Sequence, residues 1–196
     1  MKADISNKIN RFARRTLAEF SESLLFLLEE NSLEEITVQK LCDYCDYPRS
    51  TFYNYFKDIY DLMDYCWGVI ARDMSIQKYM EIPEKERTNA MFMIMYDYLY
   101  MRRTHIKKIL MKNGLDGKMM YSLRKYMKKQ IKEIVFACSY TSQYPIRQDI
   151  IVDFYAITFE MLLEKCFFIK EALSKNEAEE ALSFLLGAIE KEVHRN

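Results

Sequence analysis

The chain of 196 residues contains only four glycines and three prolines, well under the usual shares of about 7% and 5%. Sheets need many reversals of direction. Tight turns draw on glycine and proline for backbone geometry that other residues resist. A chain with so little of this punctuation must be built from long segments. The spacing of its apolar residues says which kind: Phe12, Leu17, Phe20, Leu24 and Leu28 recur at steps of three to five, close to the helical period of about 3.6. An all-α fold is predicted, and the few breakers mark where helices stop.

Reading from breaker to breaker gives about nine helices. The first covers 8–30 and ends at the polar break "ENSLEE". Thr37 is a good N-cap, after which Val38, Leu41, Cys42 and Cys45 make one apolar stripe. Asp46 and Tyr47 form a tight connection. Pro48 is expected at the first position of the next helix, where its missing N–H costs nothing. A helix over about 58–80 follows, and Pro83 closes the region. Then come a helix over 84–101, a shorter one over "THIKKILMKN" stopped by Gly114 and Gly117, and a long basic helix over 118–140. Pro145 breaks the chain before two amphipathic helices at 146–172 and 177–194.

Composition narrows the functional classes. The 29 basic and 29 acidic residues cancel, so no global charge draws the chain to a polyanion. No run of about 18 apolar residues occurs, so no membrane span is expected. The opening "MKADISNKINRFARR" lacks the apolar stretch of a secretory signal, and a cytoplasmic location is expected. Five cysteines, an odd number, suit reduced and mostly buried thiols. Cys42 and Cys45 form a C-x-x-C, but no second pair or nearby histidine completes a zinc site, and no βαβ pattern frames a redox motif. His105 and His194 are not in H-E-x-x-H. The nucleotide-binding and hydrolase signatures G-x-x-x-x-G-K-[ST], G-x-G-x-x-G and G-x-S-x-G are missing. No catalytic residue, metal or cofactor is therefore expected, and a small helical enzyme is the least favoured class.

The stretch "RSTFYNYFKDIYDL", residues 49 to 62, carries the functional signal. Two short helices joined by a tight turn have helix-turn-helix geometry. On the second, Phe52 and Phe56 are four apart and are expected to pack inward against Leu41 and Leu62. Arg49, Ser50, Tyr53, Asn54 and Lys57 then fall on the opposite side. That face offers donors, aromatic rims and two cations, with no acid before Asp58. Solvated faces are usually richer in Glu and Lys, so the groove of double-stranded DNA is the expected partner.

The longer run "ITVQKLCDYCDYPRSTFYNYFKDIYDLM" resembles the N-terminal DNA-binding region of TetR-family transcriptional regulators. The residues that carry the resemblance are Thr37, Leu41, Thr51, Phe52, Tyr53, Tyr55, Phe56, Lys57 and Leu62, over roughly 10–65 of the chain. Asp46 departs from the glycine usual in the turn, so either the turn is strained or Asp46 adopts a left-handed conformation, which aspartate tolerates better than most residues. Ile59 stands where a phosphate-binding lysine is common. The variant "R-x-TFY-x-x-FKD-x-YDL" is similar to a subgroup that includes activators of dihydroxyacetone kinase genes. The resemblance implies a DNA-binding helix-turn-helix domain at 1–62 and a helical effector-binding and dimerisation domain at 63–196. It also implies a homodimer acting on a pseudo-palindromic operator.

Resemblance and chemistry together assign DNA contacts. Arg49 suits a guanine edge or a phosphate and Asn54 an adenine. Ser50, Thr51, Tyr53, Tyr55 and Lys57 belong to the same face or its edge. Thr37 and Gln39 would meet phosphate at a helix start. Arg11, Arg14 and Arg15 form an arm that is either solvated or backbone-binding. Residues 1–62 hold eight basic and eleven acidic side chains, so the acids of helix 1 and "EENSLEE" are expected to face away from DNA.

Three further features lie in the C-terminal part. "MFMIMYDYLYM" places Met91, Met95, Tyr96, Leu99 and Tyr100 either around an effector cavity or in plain core packing. Ile150, Phe154, Ile157, Met161 and Phe168 make one stripe on the penultimate helix, and Ala181, Leu185 and Ala188 another on the last. Two such helices can pair with a twofold copy as a four-helix bundle. Residues 101–133 hold eleven basic and two acidic side chains, a solvated face or a surface for an anion or acidic partner. The alternative to a DNA-binding regulator is a co-regulator of the same fold that acts through a protein partner.

Overall fold

The computed structural model describes residues 11–75, 81–83, 86–137 and 145–193, with side chains to 187. Among them are nine α-helices and one short 3-10 turn, and no strand. The helices are α1 (Arg11–Leu27), α2 (Val38–Cys45), α3 (Arg49–Tyr55), α4 (Ile59–Asp73) and α5 (Arg87–Met101). They continue as α6 (Arg103–Asn113), α7 (Lys118–Ala137), α8 (Gln148–Phe167) and α9 (Lys175–Val193). The all-α expectation is met.

Helix ends follow local chemistry. The Thr37 hydroxyl accepts from the Lys40 N–H at 3.1 Å and starts α2. Asp46 ends α2 in the left-handed region, at φ 55° and ψ 43°, where aspartate is tolerated better than most residues. Pro48 is the N-cap of α3 rather than its first residue. Its ψ of 143° is extended, and the helix begins at Arg49. The helix expected over 8–30 ends at Leu27, where Asn31 donates its side-chain amide to the Leu27 carbonyl at 2.8 Å. The break after it is less polar than it reads, because Leu33 and Ile36 are both buried.

Two other ends differ from the sequence expectation. The helix expected over 146–172 stops at Phe167, where Leu173 N–H turns back to the Lys165 carbonyl at 3.0 Å. The last helix starts at Lys175, because Ser174 and Glu177 form a reciprocal capping box. The Ser174 N–H donates to the Glu177 carboxylate at 2.8 Å, and the Glu177 N–H donates back to the Ser174 hydroxyl at 3.3 Å.

The chain divides into two compact units. One comprises residues 1–71 and 104–123, the other 72–103 and 124–196. The expected division after residue 62 falls inside α4. In the first unit α1 packs on α2 and α2 on α3. Asn113 at the end of α6 is buried there. Its carbonyl accepts from the Leu33 N–H at 2.8 Å, and its amide donates to the Ile109 carbonyl at 2.9 Å. In the second unit α5, α8 and α9 pack together around Phe92, Ile151, Phe159, Ala178 and Leu182, all fully buried.

Candidate nucleic-acid interface

The position of α3 is set by aromatic packing. Phe20 of α1 meets the Phe52 ring edge-on at 5.5 Å, Phe56 at 6.5 Å and Tyr47 at 5.2 Å. Phe52 and Phe56 lie 5.5 Å apart. Phe20, Phe52, Phe56, Leu41 and Leu62 are all fully buried, as the wheel requires. Phe56 reaches the core although it follows the last helical residue, with φ −125° and ψ 152°.

With Phe52 turned inward, Arg49, Ser50, Tyr53 and Asn54 are exposed, and Thr51 and Tyr55 are half-buried. One turn separates Arg49 from Tyr53. The Arg49 guanidinium donates to the Tyr53 hydroxyl at 3.4 Å and lies 5.8 Å from the ring centroid. The Tyr53 hydroxyl beside it raises the Arg49 pKa above its ordinary value. The cation is permanent, as for any arginine, and the contact with Tyr53 partly positions it. No acid occupies the first turn of α3.

Lys57 differs from expectation. Helix α3 ends at Tyr55, so Lys57 is not on its wheel. It is exposed in the connection to α4, and its N–H donates to the Asp61 carboxylate at 3.0 Å. The Asp61 N–H in turn donates to Asp58 at 2.8 Å. Both acids that follow the candidate reading face are thus engaged at the positive start of α4, where carboxylates are stabilised.

At the start of α2, Thr37 uses a lone pair as a cap and keeps its O–H to donate. Gln39 is exposed, but its amide donates to Asp43 at 2.6 Å along the helix. Lys40, not singled out by sequence, is exposed at the same end and donates to Asn31 at 2.5 Å. Arg11, Arg14 and Arg15 are exposed on α1. Among the described cysteines Cys42, Cys66 and Cys166 are buried and Cys45 is half-buried; burial pushes Cys66 up to about 12 and raises Cys42 and Cys45. Cys138 lies outside the described residues.

The residues of the expected effector region gather at the core of the second unit. Met91, Met95 and Tyr96 are buried in the core of the second unit, and Leu99 is half-buried against it. Tyr100 is 48% exposed and stacks on Tyr96 with centroids 6.1 Å apart. Burial raises the Tyr96 pKa. The expected pairing face is also partly redistributed. Ile157 and Met161 are 65% and 40% exposed, whereas Phe154 and Ala181 pack against the core. Leu185 is half-buried, and the Ala188 side chain lies outside the described residues. Sequence reading missed Phe184 of α9, an 81% exposed ring. The signal was the run of apolar residues at 184–186, which are too close in sequence for all three to face inward.

No family model matches the sequence, and no curated protein matches it. Solved structures do. A protein from Syntrophomonas wolfei assigned to the TetR family of transcriptional regulators is similar with a TM-score of 0.68 and 14% identity, over 90% of this chain and 95% of that one. An assigned transcriptional regulator from Pseudomonas aeruginosa is similar at 0.59 and 12%, over 94% and 97%. A Vibrio parahaemolyticus protein assigned to the TetR family is similar at 0.54 and 15%, over 88% and 97%. At these identities the likeness shows the fold: this chain has the all-α fold of TetR-family regulators.

Proposed function

We propose that this protein is a dimeric, sequence-specific DNA-binding regulator of transcription that reads the major groove with α3. One observation carries the reading. Helix α3 buries Phe52 completely and leaves Arg49, Ser50, Tyr53 and Asn54 exposed, a donor-rich face with no acid in its first turn. On this reading DNA recognition lies in residues 1–62 and pairing and effector response in 63–196. Its partners are then a pseudo-palindromic operator and a second copy of the chain, in the cytoplasm. Binding rather than turnover is its activity.

Pairing is supported by the apolar side chains that the single chain leaves exposed: Ile150, Ile157 and Met161 on α8 and Phe184 on α9. Gly187, one turn after Phe184, has nothing within 4 Å of where a Cβ would sit, which leaves room for a close helix. Changing Phe184 to Glu is expected to convert the dimer to monomer in light scattering and to lower the melting temperature to a value that no longer rises with protein concentration. Effector response through Met91, Met95, Tyr96, Leu99 and Tyr100 is supported by adaptable methionines around a buried tyrosine. The variant TetR-like run at 49–62 supports the subgroup of dihydroxyacetone kinase gene activators. Binding to the protein's own upstream DNA, measured at several salt concentrations, tests the core of the proposal. Affinity that does not fall with salt, or that does not distinguish that DNA from a random duplex, would favour the co-regulator reading.

A further inference from the structure

The geometry points to a second interaction surface, beyond DNA reading: the outer face of α7 is a docking site for an acidic segment of a partner protein that ends in an apolar side chain. Lys125, Lys128, Lys129, Lys132 and Phe136 lie at i, i+3, i+4, i+7 and i+11 on this helix and all are exposed. They form one stripe roughly 16 Å long at 1.5 Å per residue. The opposite side of the same stretch belongs to the core: Ile131 and Val135 are buried, and Met127 and Ile134 pack beside them.

Some other basic residues of the second unit are answered by acids. Arg124 pairs with Glu160, and Lys175 with Asp97 at 2.6 Å. On the stripe only Lys128 has an ion pair among the described residues, with Asp153 at 2.5 Å. Lysines three and four apart on one helix repel each other, which destabilises the helix. An ordinary solvated helix relieves this by interspersing acids at those spacings. Along α7 the one acid beside the stripe is Glu133, four residues after Lys129, and it accepts from Gln130 at 3.3 Å. The fold thus holds four neighbouring cations together and leaves Lys125 and Lys129 without an ion pair among the described residues.

The end of the stripe decides what kind of polyanion fits. Phe136 is 53% exposed, and the Lys132 ammonium lies 5.5 Å from its ring centroid. A duplex backbone presents phosphates and sugars, which gain little by covering a phenyl ring. A protein segment can place carboxylates on the lysines and an aliphatic side chain on the ring. Charge complementarity and this apolar terminus together select an acidic amphipathic segment.

The test uses the full-length protein and a synthetic helical peptide with Glu at the spacings that match the lysines and Leu at the position that meets Phe136. Two control peptides carry Gln for Glu, or Ser for Leu. Affinity should fall with salt and should drop about tenfold or more for the Gln peptide and for the Lys125→Glu/Lys129→Glu/Lys132→Glu protein. The Ser peptide, and the Phe136→Ser protein, should bind severalfold more weakly. The charge-reversed protein should keep its melting curve, and a Lys→Gln triple variant guards against misfolding. Its affinity for its own upstream DNA should also be unchanged, which separates this proposal from the reading of α3. Equal binding of Glu and Gln peptides, or of wild-type and charge-reversed protein, would make the stripe a solvated face. A random duplex whose binding falls with the lysines, while Phe136→Ser affects nothing, would make it a phosphate contact. Either result overturns the proposal.

Discussion

Helices α3 and α5 are both crowded with aromatic side chains, yet the fold uses them in opposite ways. In α3 one side is covered, by α1 and α2, and one residue, Phe52, is fully buried. Tyr53 on the same short helix is 38% exposed. In α5, packing against both α8 and α9 buries Met91, Phe92, Met95 and Tyr96 and half-buries Met93, Tyr98 and Leu99. Ring chemistry is therefore a poor guide to role. The number of sides a helix has covered decides how much of its aromatic surface is buried, although even on α5 Tyr100 stays 48% exposed.

The largest effects should come from the anchors. Changing Phe52 to Ala removes a fully buried ring that packs on Phe20 and Phe56, and should cost about 3–5 kcal/mol, read by chemical denaturation. Phe92→Ala, against Phe159 at 5.4 Å, should cost about as much in the second unit. If Phe52→Ala left stability intact, α3 would be turned the other way and the contrast with α5 would fail.

Surface positions of α3 should behave differently. Arg49→Ala should leave stability nearly unchanged and cost about 1–3 kcal/mol in operator binding, measured by titration at fixed salt. Lys57→Ala, beyond the helix end, should weaken all duplexes alike and make the salt slope shallower by about one unit. A loss of base preference in that variant would mean Lys57 reaches a base edge.

The smallest effect concerns pH. Glu29 accepts from Lys108 at 2.8 Å and meets His105 at 2.5 Å, and these hydrogen bonds, Lys108 first, hold its carboxyl below the ordinary value of 4.5. A carboxyl lower in the folded than in the unfolded chain stabilises the fold above the unfolded value and stops doing so as pH falls through the folded one. Glu29→Gln should therefore lower Tm by about a degree or two at neutral pH, and the difference should vanish in acid, once pH has fallen through the lowered folded value. A difference that persists there would trace to packing instead of charge.

Much of this was legible beforehand, for physical reasons. Thr37, Asp46 and the Phe52/Phe56 pair act through local geometry and one-sided burial, which sequence spacing encodes. The end of α8 was misplaced because Ile169, Lys170, Glu171 and Ala172 contain no helix breaker, while the chain turns back at Leu173. Pro48 was shifted by one position because proline's φ suits the cap as well as the first turn. Lys57 left the expected face because α3 stops after seven residues, a boundary set by Asp58 and Asp61 starting the next helix. The pairing face was the hardest to read. Helix α8 is apolar on more than one side, and only tertiary packing separates Phe154, which is covered, from Ile157, which is not.

The most direct test of DNA reading by α3 is the affinity of wild-type and Asn54→Ala protein for the upstream operator and for a panel of single-base variants of it. Asn54 is exposed, and its amide suits an adenine edge. The expected result is a loss of about 1–3 kcal/mol at the operator, with selectivity relaxed at one base pair per half-site and the melting curve unchanged. Unchanged affinity and an unchanged preference at every base pair would contradict DNA reading by α3.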